Sequence, residues 1–412
     1  MDKNTYFSGQ PIFTQVLSYI PDSLLNELIR KHHTDRYYKK FDTRHHLVTM
    51  LFSVINQCTS IREVVTGLQI ASSKRGHFRL VHDICRSTLS DANKQRPEAF
   101  FGDLFHSLYS KYYGLPDSRK IQSRASYEKR LFIIDSTTIT LFHDVLKGAG
   151  VSPSNGKRKG GLKAHVMIQA SEDIPCLVNL TPAAANDRTF LKLINLPAGS
   201  IITFDKGYSN FRKFQQWTQS RVTWVSRILD YWTVRVIKQR NVSEDQKQAG
   251  IISDELVILG DPRNNHTLKI KARIIKYTDP VSKKTLSFVT NNKRMQATTI
   301  ADIYKTRWQI ELLFKRIKQR YPLRYFLGES ANAIKIQVWC ALIADLLVKI
   351  IKDRTKRHWS YTNISGILKL HLMTYINLTR FLENPEKTAK YYQPPPSEYQ
   401  LSLFDVKRGA YF

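Results

Sequence analysis

The stretch IYKTRWQIELLFKRIKQ, residues 303–319, reads as part of one strong helix, Ala301–Arg320. At about 100° per residue, Tyr304, Arg307, Glu311 and Lys318 fall within about 60° of one another. Ile303, Ile310, Leu313 and Ile317 form an apolar face beside them. A solvated helix would explain Arg307 and Glu311 as an i,i+4 ion pair, worth a few tenths of a kcal/mol. One acid among a tyrosine, an arginine and a lysine, flanking a core face, fits a charged and partly buried stripe better.

Two further acids give that stripe a purpose. In KRLFIIDSTTITL (residues 129–141), Asp135 ends the apolar run Leu131–Ile134, which reads as a central strand. Asp205 ends the buried strand Ile201–Phe204 and precedes Lys206-Gly207-Tyr208, a turn into a helix. Either aspartate alone reads as a turn or cap residue. With Glu311 they make chemical sense. Two Mg²⁺ ions roughly 3.5–4 Å apart need hard oxygen ligands, one of them shared. One ion activates a water or hydroxyl and the other stabilises the leaving oxygen. Asp135 is the natural bridging ligand because a central strand is a rigid seat. Tyr304, Arg307 and Lys318 would hold a phosphate alongside through charge-assisted hydrogen bonds. Asp187, in NDRTF, is a rival acid, but with Asn186 it opens a short helix and reads as an ordinary N-cap. Lys163 and His165 alternate on a strand. All three stay outside the catalytic set.

The helix resembles the Tyr-x2-Arg-x3-Glu-x6-Lys signature of the insertion-sequence-four family of bacterial DDE transposases, and it matches at every position and spacing. Asp135 in IIDSTTI resembles that family's first catalytic aspartate and Asp205 in TFDKGY its second; GGLKAHVMIQ is similar to its second strand. The resemblance covers residues from about 125 to 350. It implies an α/β (α+β) fold: an RNase H-like mixed sheet flanked by helices, with an all-β insertion before the glutamate helix and an N-terminal helical domain. It also implies Asp135, Asp205 and Glu311 as catalytic metal ligands for two Mg²⁺ ions, with Mn²⁺ as a substitute, and Tyr304, Arg307 and Lys318 as DNA phosphate contacts. Trp308 becomes a candidate for stacking on a displaced base, since the family's reaction forms a hairpin at the element's end; the other reading is a packing tryptophan.

The rest of the chain is consistent with this organisation. Ile12–Ile20 has helical spacing, Pro21-Asp22-Ser23 reads as a cap before Leu24–Lys31, Thr43 caps a helix to about Gln57, and Ser60 caps Ile61–Leu68. SSKRGHFR, Ser72–Arg79, reads as a basic loop. Beyond it, Ser87 or Ser90 starts a short helix exposing Asn93, Lys94 and Arg96, the candidates for reading the DNA end. Short helices with tight turns and a basic second helix suit a helix-turn-helix-like reader; a small helical bundle has the same pattern. Lys163–Ala170 and Cys176–Thr181 read as strands. Between about 221 and 292, VTWVSRIL, YWTVRVI, ELVILG, LKIKARIIKY and TLSFVT read as a β-rich insertion. The 106 residues separating Asp205 from Glu311 are too many for a bare connection. The expected organisation is therefore 1–125, helical; 126–220, first part of the catalytic core; 221–292, β insertion; 293–352, second part of the core; and 353–412, a helical segment and tail containing Pro394-Pro395-Pro396.

Composition sets the partner. Sixty-four Lys and Arg against 34 Asp and Glu leave a net charge of +30, far beyond what solubility needs, and point to a polyanion. A hydrophobic fraction of 42% lets the chain bury real cores. The four cysteines, Cys58, Cys85, Cys176 and Cys340, form no Cys-x-x-Cys pair, which argues against zinc modules and disulfide scaffolds. The N-terminus lacks the pattern of a signal peptide. Ala331–Ile351, interrupted by Lys335, Gln337, Asp345 and Lys349, reads as a core helix, not a membrane span. The expectation is a bacterial, cytoplasmic, nucleoid-associated transposase acting as a homodimer on double-stranded DNA, both inverted-repeat ends and target, with no membrane partner. The alternative is a domesticated, catalytically inactive descendant that only binds DNA; the three intact acids favour the active enzyme.

Overall fold

The computed structural model describes residues 9–114, 127–140, 161–262, 265–321 and 323–386; the Pro394-Pro395-Pro396 segment lies outside them. The chain folds as two compact units. One comprises the described residues within Met1–Tyr19, Ala71–Val81 and Leu347–Phe412, the other Ile20–Ile70 and His82–Leu346.

The larger unit is built on nine strands: β1 (Leu131–Thr140), β2 (Gly161–Gln169), β3 (Pro175–Pro182), β4 (Ile201–Phe204), β5 (Thr223–Arg227), β6 (Thr233–Gln239), β7 (Ile251–Asp261), β8 (Asn265–Thr278) and β9 (Thr285–Thr290). They form one sheet in the order β3-β2-β1-β4-β5-β9-β8-β7-β6. β1, β2 and β3 are an antiparallel meander; β4 runs parallel to β1, and β5 parallel to β4. Three antiparallel strands with two parallel ones added beside the first make an RNase H-like mixed sheet. Leu131–Ile134 and Ile201–Phe204 are buried on both faces, which is why they read as unbroken apolar runs instead of alternating ones.

The β-rich segment is not separate from that sheet. β9 pairs with β5, and β8, β7 and β6 continue outward from it. It is also not purely β: Glu244–Gln248 forms a short helix with a Ser243/Gln246 capping box. Arg273, buried on β8, ties the meander together. It donates twice to Asp254 on β7, at 2.7 Å each, and once to the Met295 carbonyl at 2.6 Å, just ahead of the helix Ala297–Thr306.

Among the described residues, the helices Asp22–His32, Thr43–Ile55, Ile61–Ile70, Arg86–Gln95 and Glu98–Tyr113 and the single turn Tyr127–Arg130 precede β1 in the larger unit. The cap of the second is Asp42, not Thr43: Asp42 Oδ1 accepts from His45 N at 2.8 Å. Ser60 does cap the third, accepting from Glu63 N. Arg86–Gln95 begins after Cys85, before either serine expected to start it. Its exposed face also differs from the expectation. Lys94 is exposed, but Asn93 and Arg96 are buried at 1% each. Asn93 Oδ1 lies 2.8 Å from His46 Nε2, and Arg96 donates to the Phe41 carbonyl at 2.8 Å and sits over the Tyr38 ring. Both are core polar groups, and neither is available to a DNA base in this conformation.

In the smaller unit, Ser72–Phe78 is a 3-10 helix, not a loop, closed by Arg79 at φ 56°. The Ile12–Leu17 helix packs Phe13 edge-on to Phe78, and its first amides donate to the Thr374 and Leu372 carbonyls. In the larger unit, the stretch Ala331–Leu346 of the helix Ala331–Arg354 is mostly buried, as expected for a core helix. Among the described residues no helix is long and apolar enough to cross a membrane.

Candidate active site

The register of the parallel strands builds the site. Ile134 pairs with Phe204 across β1 and β4, so Asp135 and Asp205 are each the next residue, at the same level on neighbouring strands. Thr203 pairs with Val225 across β4 and β5, so the same row continues to Arg227. Arg227 donates to Asp205 Oδ1 at 3.1 Å. This arginine has no part in the sequence expectation. The available signal was the one used for Asp205, a charged residue ending an apolar strand.

The glutamate arrives on a helix. The segment Ala301–Arg320 is two helices, Ala297–Thr306 and Trp308–Arg320, joined at Arg307. There the backbone tightens into three-residue bonds: Arg307 N to the Tyr304 carbonyl at 3.1 Å and Ile310 N to the Arg307 carbonyl at 3.2 Å. The polar stripe survives the break. Tyr304 Oη donates to Asp205 Oδ1 at 3.4 Å, and Lys318 Nζ donates to the Thr138 carbonyl of β1 at 2.9 Å. Arg307 joins the acids: Nη1 donates to Asp135 Oδ2 at 2.8 Å and Nη2 to Glu311 Oε1 at 2.7 Å. Ile303, Ile310, Leu313 and Ile317 are buried, as the helical spacing predicts. Trp308 is 57% exposed, so the packing reading of its indole does not hold.

Electrostatics marks the same place. Burial pushes the Asp135 carboxyl up to about 6; the Ser136 amide and Arg307 oppose that, and the negative charges of Asp205 and Glu311 add to it. Burial works against the charge of Arg307, yet the bond to Glu311 and the neighbouring Tyr304, Asp135 and Glu311 hold its pKa above the ordinary value. Burial lowers the pKa of Lys318.

Asp187, Lys163 and His165 gather beside this row. Asp187 Oδ1 accepts from Lys163 Nζ at 3.0 Å and from Ser136 Oγ at 3.2 Å, and lies 3.6 Å from His165 Nδ1. His165 is fully buried, with Nε2 2.9 Å from Thr181 Oγ1, and burial depresses its pKa. The helix cap is Asn186, whose side chain accepts from Arg188 N. The Asp187 carboxylate therefore faces β1 and β2 beside Asp135 and does not close the helix.

Three carboxylates, one within β1, one at the end of β4 and one on a helix, are a hard-oxygen donor set that suits a divalent cation, and a guanidinium cation already stands between two of them. Among the described residues no three ligating side chains stand ready to hold an ion as they are. Their oxygens are engaged by Arg307, Arg227 and Tyr304.

Comparison with known proteins gives the family. The family model described as the transposase DDE domain matches residues 126–347, and another, described as a domain of unknown function (DUF4372), matches residues 8–78. A Sinorhizobium fredii chain named as a transposase is 32% identical over 317 residues, spanning 76% of this chain and 85% of its own. A Geobacillus stearothermophilus chain named as the transposase of insertion sequence element IS5377 is 24% identical over 328 residues, 79% of this chain and 80% of that one. Among solved structures, the piggyBac transposase synaptic complex with hairpin DNA aligns with a TM-score of 0.45 and 12% identity, over 94% of this chain and 82% of that one. The DDE model alone spans more than half of the sequence, and the chain belongs to the DDE transposases of insertion sequences.

Proposed function

We propose that the protein cuts the ends of an insertion sequence and joins them to new DNA by phosphoryl transfer, with Asp135, Asp205 and Glu311 as the ligands of two Mg²⁺ ions for which Mn²⁺ substitutes. The observation that carries this reading is the linkage of the three acids: Asp135 lies within β1 level with Asp205, which follows the parallel strand β4, and Arg307 joins Asp135 to Glu311. Bound there, the ions supply activation of a water or 3′-hydroxyl and charge for the leaving oxygen. Asp135, on the buried central strand, is the shared ligand. Arg307, Lys318 and Tyr304 bind the phosphate beside the acids, Arg307 through its two-pronged guanidinium. Trp308, exposed next to Arg307, stacks on a base displaced at a hairpin end. One strand is hydrolysed first, and the freed 3′-hydroxyl is the next nucleophile. The net charge of +30 suits binding of both element ends and target duplex by a dimer at the bacterial nucleoid, and Lys94 is an exposed contact for that DNA.

Asp135→Asn tests the reading. It removes the shared ligand and leaves the phosphate contacts. Nicking of an element-end duplex is expected to fall by at least about a hundredfold, while binding of the same duplex in a metal-free gel shift does not weaken. Wild-type nicking by the variant would sink the assignment.

A further inference from the structure

Arg307 is engaged twice, and both engagements are with acids that a metal would need. Its side chain is 16% exposed, its two terminal nitrogens lie on Asp135 and Glu311, and its Nε has no hydrogen-bond partner among the described residues. We infer that Arg307 is an exchange residue, holding Asp135 and Glu311 in the free protein and leaving them for a DNA phosphate, so that divalent metal and DNA bind cooperatively. The inference rests on the metal-ligand role proposed above for Asp135 and Glu311.

A guanidinium fork matches carboxylate and phosphate oxygens alike. Moving it off the two carboxylates with no other anion at hand would strand a largely buried cation. Leaving it in place beside divalent cations would set like charges together. A phosphate arriving with the DNA removes both costs, since Arg307 gains an anion as the carboxylates gain a cation. The backbone suits the move: Arg307 sits at the joint between two helices, outside the hydrogen-bonded interior of either. Lys318, which donates to the Thr138 carbonyl, has there a neutral partner that it can give up for the same phosphate. Coupling of this kind is reciprocal, so metal tightens DNA binding by the factor by which DNA tightens metal binding.

The test is a Mn²⁺ titration of the full-length protein, reading free Mn²⁺ by electron paramagnetic resonance, without DNA and with a duplex taken from the sequence flanking the gene. Without DNA, Arg307→Gln is expected to bind Mn²⁺ about 5–150-fold more tightly than wild type, the range of ordinary coupling; Arg307→Lys falls between, because it keeps the charge and loses the fork. Adding duplex tightens Mn²⁺ binding by wild type and leaves Arg307→Gln unchanged. If both Arg307 variants bind Mn²⁺ no more tightly than wild type, while Asp135→Asn loses the binding, the exchange is wrong and the metal site stands. If Asp135→Asn binds Mn²⁺ like wild type, the metal site itself is wrong and the exchange falls with it.

Discussion

His46 is buried between the rings of Phe41 and Phe101, with Nε2 on Asn93 Oδ1 at 2.8 Å. Burial pushes its pKa down to about 3; the charge of Arg96 adds to the shift and the bond to Asn93 opposes it. The folded pKa lies below the unfolded one, so the unfolded chain binds the extra proton between those values. The stability that neutral His46 confers is complete above about pH 6.5 and is lost as pH falls toward 3. From pH 6.5 to 5 this one group should lower the unfolding free energy by about 2 kcal/mol. Because burial also depresses His106 and His165, the readout is the difference between wild type and His46→Gln in urea unfolding at the two pH values. Equal slopes for the two proteins would mean that His46 is not buried as a neutral group. The same cluster marks where reading from sequence stops. Local spacing places Asn93 and Arg96 on a polar face, but their partners, His46, Phe41 and Thr34, come from residues 34–46, and no periodicity within 86–96 carries that information. Asp135 and Asp205 were legible because each ends an apolar run, a signal contained within five residues. Arg227 carried the same signal, and only the pairing of β5 with β4 gives it meaning.

At the scale of elements, the runs buried on both faces, β1 and β4, were legible directly, and so was the existence of strands between residues 221 and 292. Their membership in a single sheet was not, because strand order depends on pairings such as Val225 with Thr290, far apart in sequence. The helix break at Arg307 was equally hidden. Nothing in TRWQIE disfavours a continuous helix, and the turn goes with tertiary bonds from Arg307 to Asp135 on β1 and Glu311 on the next helix. The Arg273–Asp254 pair carries the energetics of the β6–β9 meander. Both side chains are at most 5% exposed. Removing Arg273 leaves buried Asp254 with Arg240 at 3.4 Å as its remaining cation among the described residues, so Arg273→Leu should destabilise the protein by up to about 3–5 kcal/mol. The double change Arg273→Leu with Asp254→Leu should recover a large part of that loss. Thermal denaturation of the single and double variants checks this; a double variant no more stable than Arg273→Leu alone would assign the loss to the carbonyl contacts at Asn292 and Met295.

At the scale of the whole molecule, one sheet sets Asp135 level with Asp205, and the sequence carries a net charge of +30. The central claim is that three particular acids do the cutting. A fourth, Asp187, stands close by, bonded to Ser136 and Lys163, and makes the claim open to contradiction. The most direct measurement is single-turnover cleavage of an element-end duplex by Asp135→Asn, Asp205→Asn, Glu311→Gln and Asp187→Asn, with duplex binding and melting temperature measured on the same preparations. The expected result is that the first three lose cleavage by at least about a hundredfold while binding and folding persist, and that Asp187→Asn, which loosens the support of Ser136, Lys163 and His165, still cuts at a measurable rate. An Asp187→Asn protein that is folded, binds DNA and cannot cut, beside an Asp205→Asn protein that cuts normally, would contradict the account and transfer the second catalytic acid to Asp187.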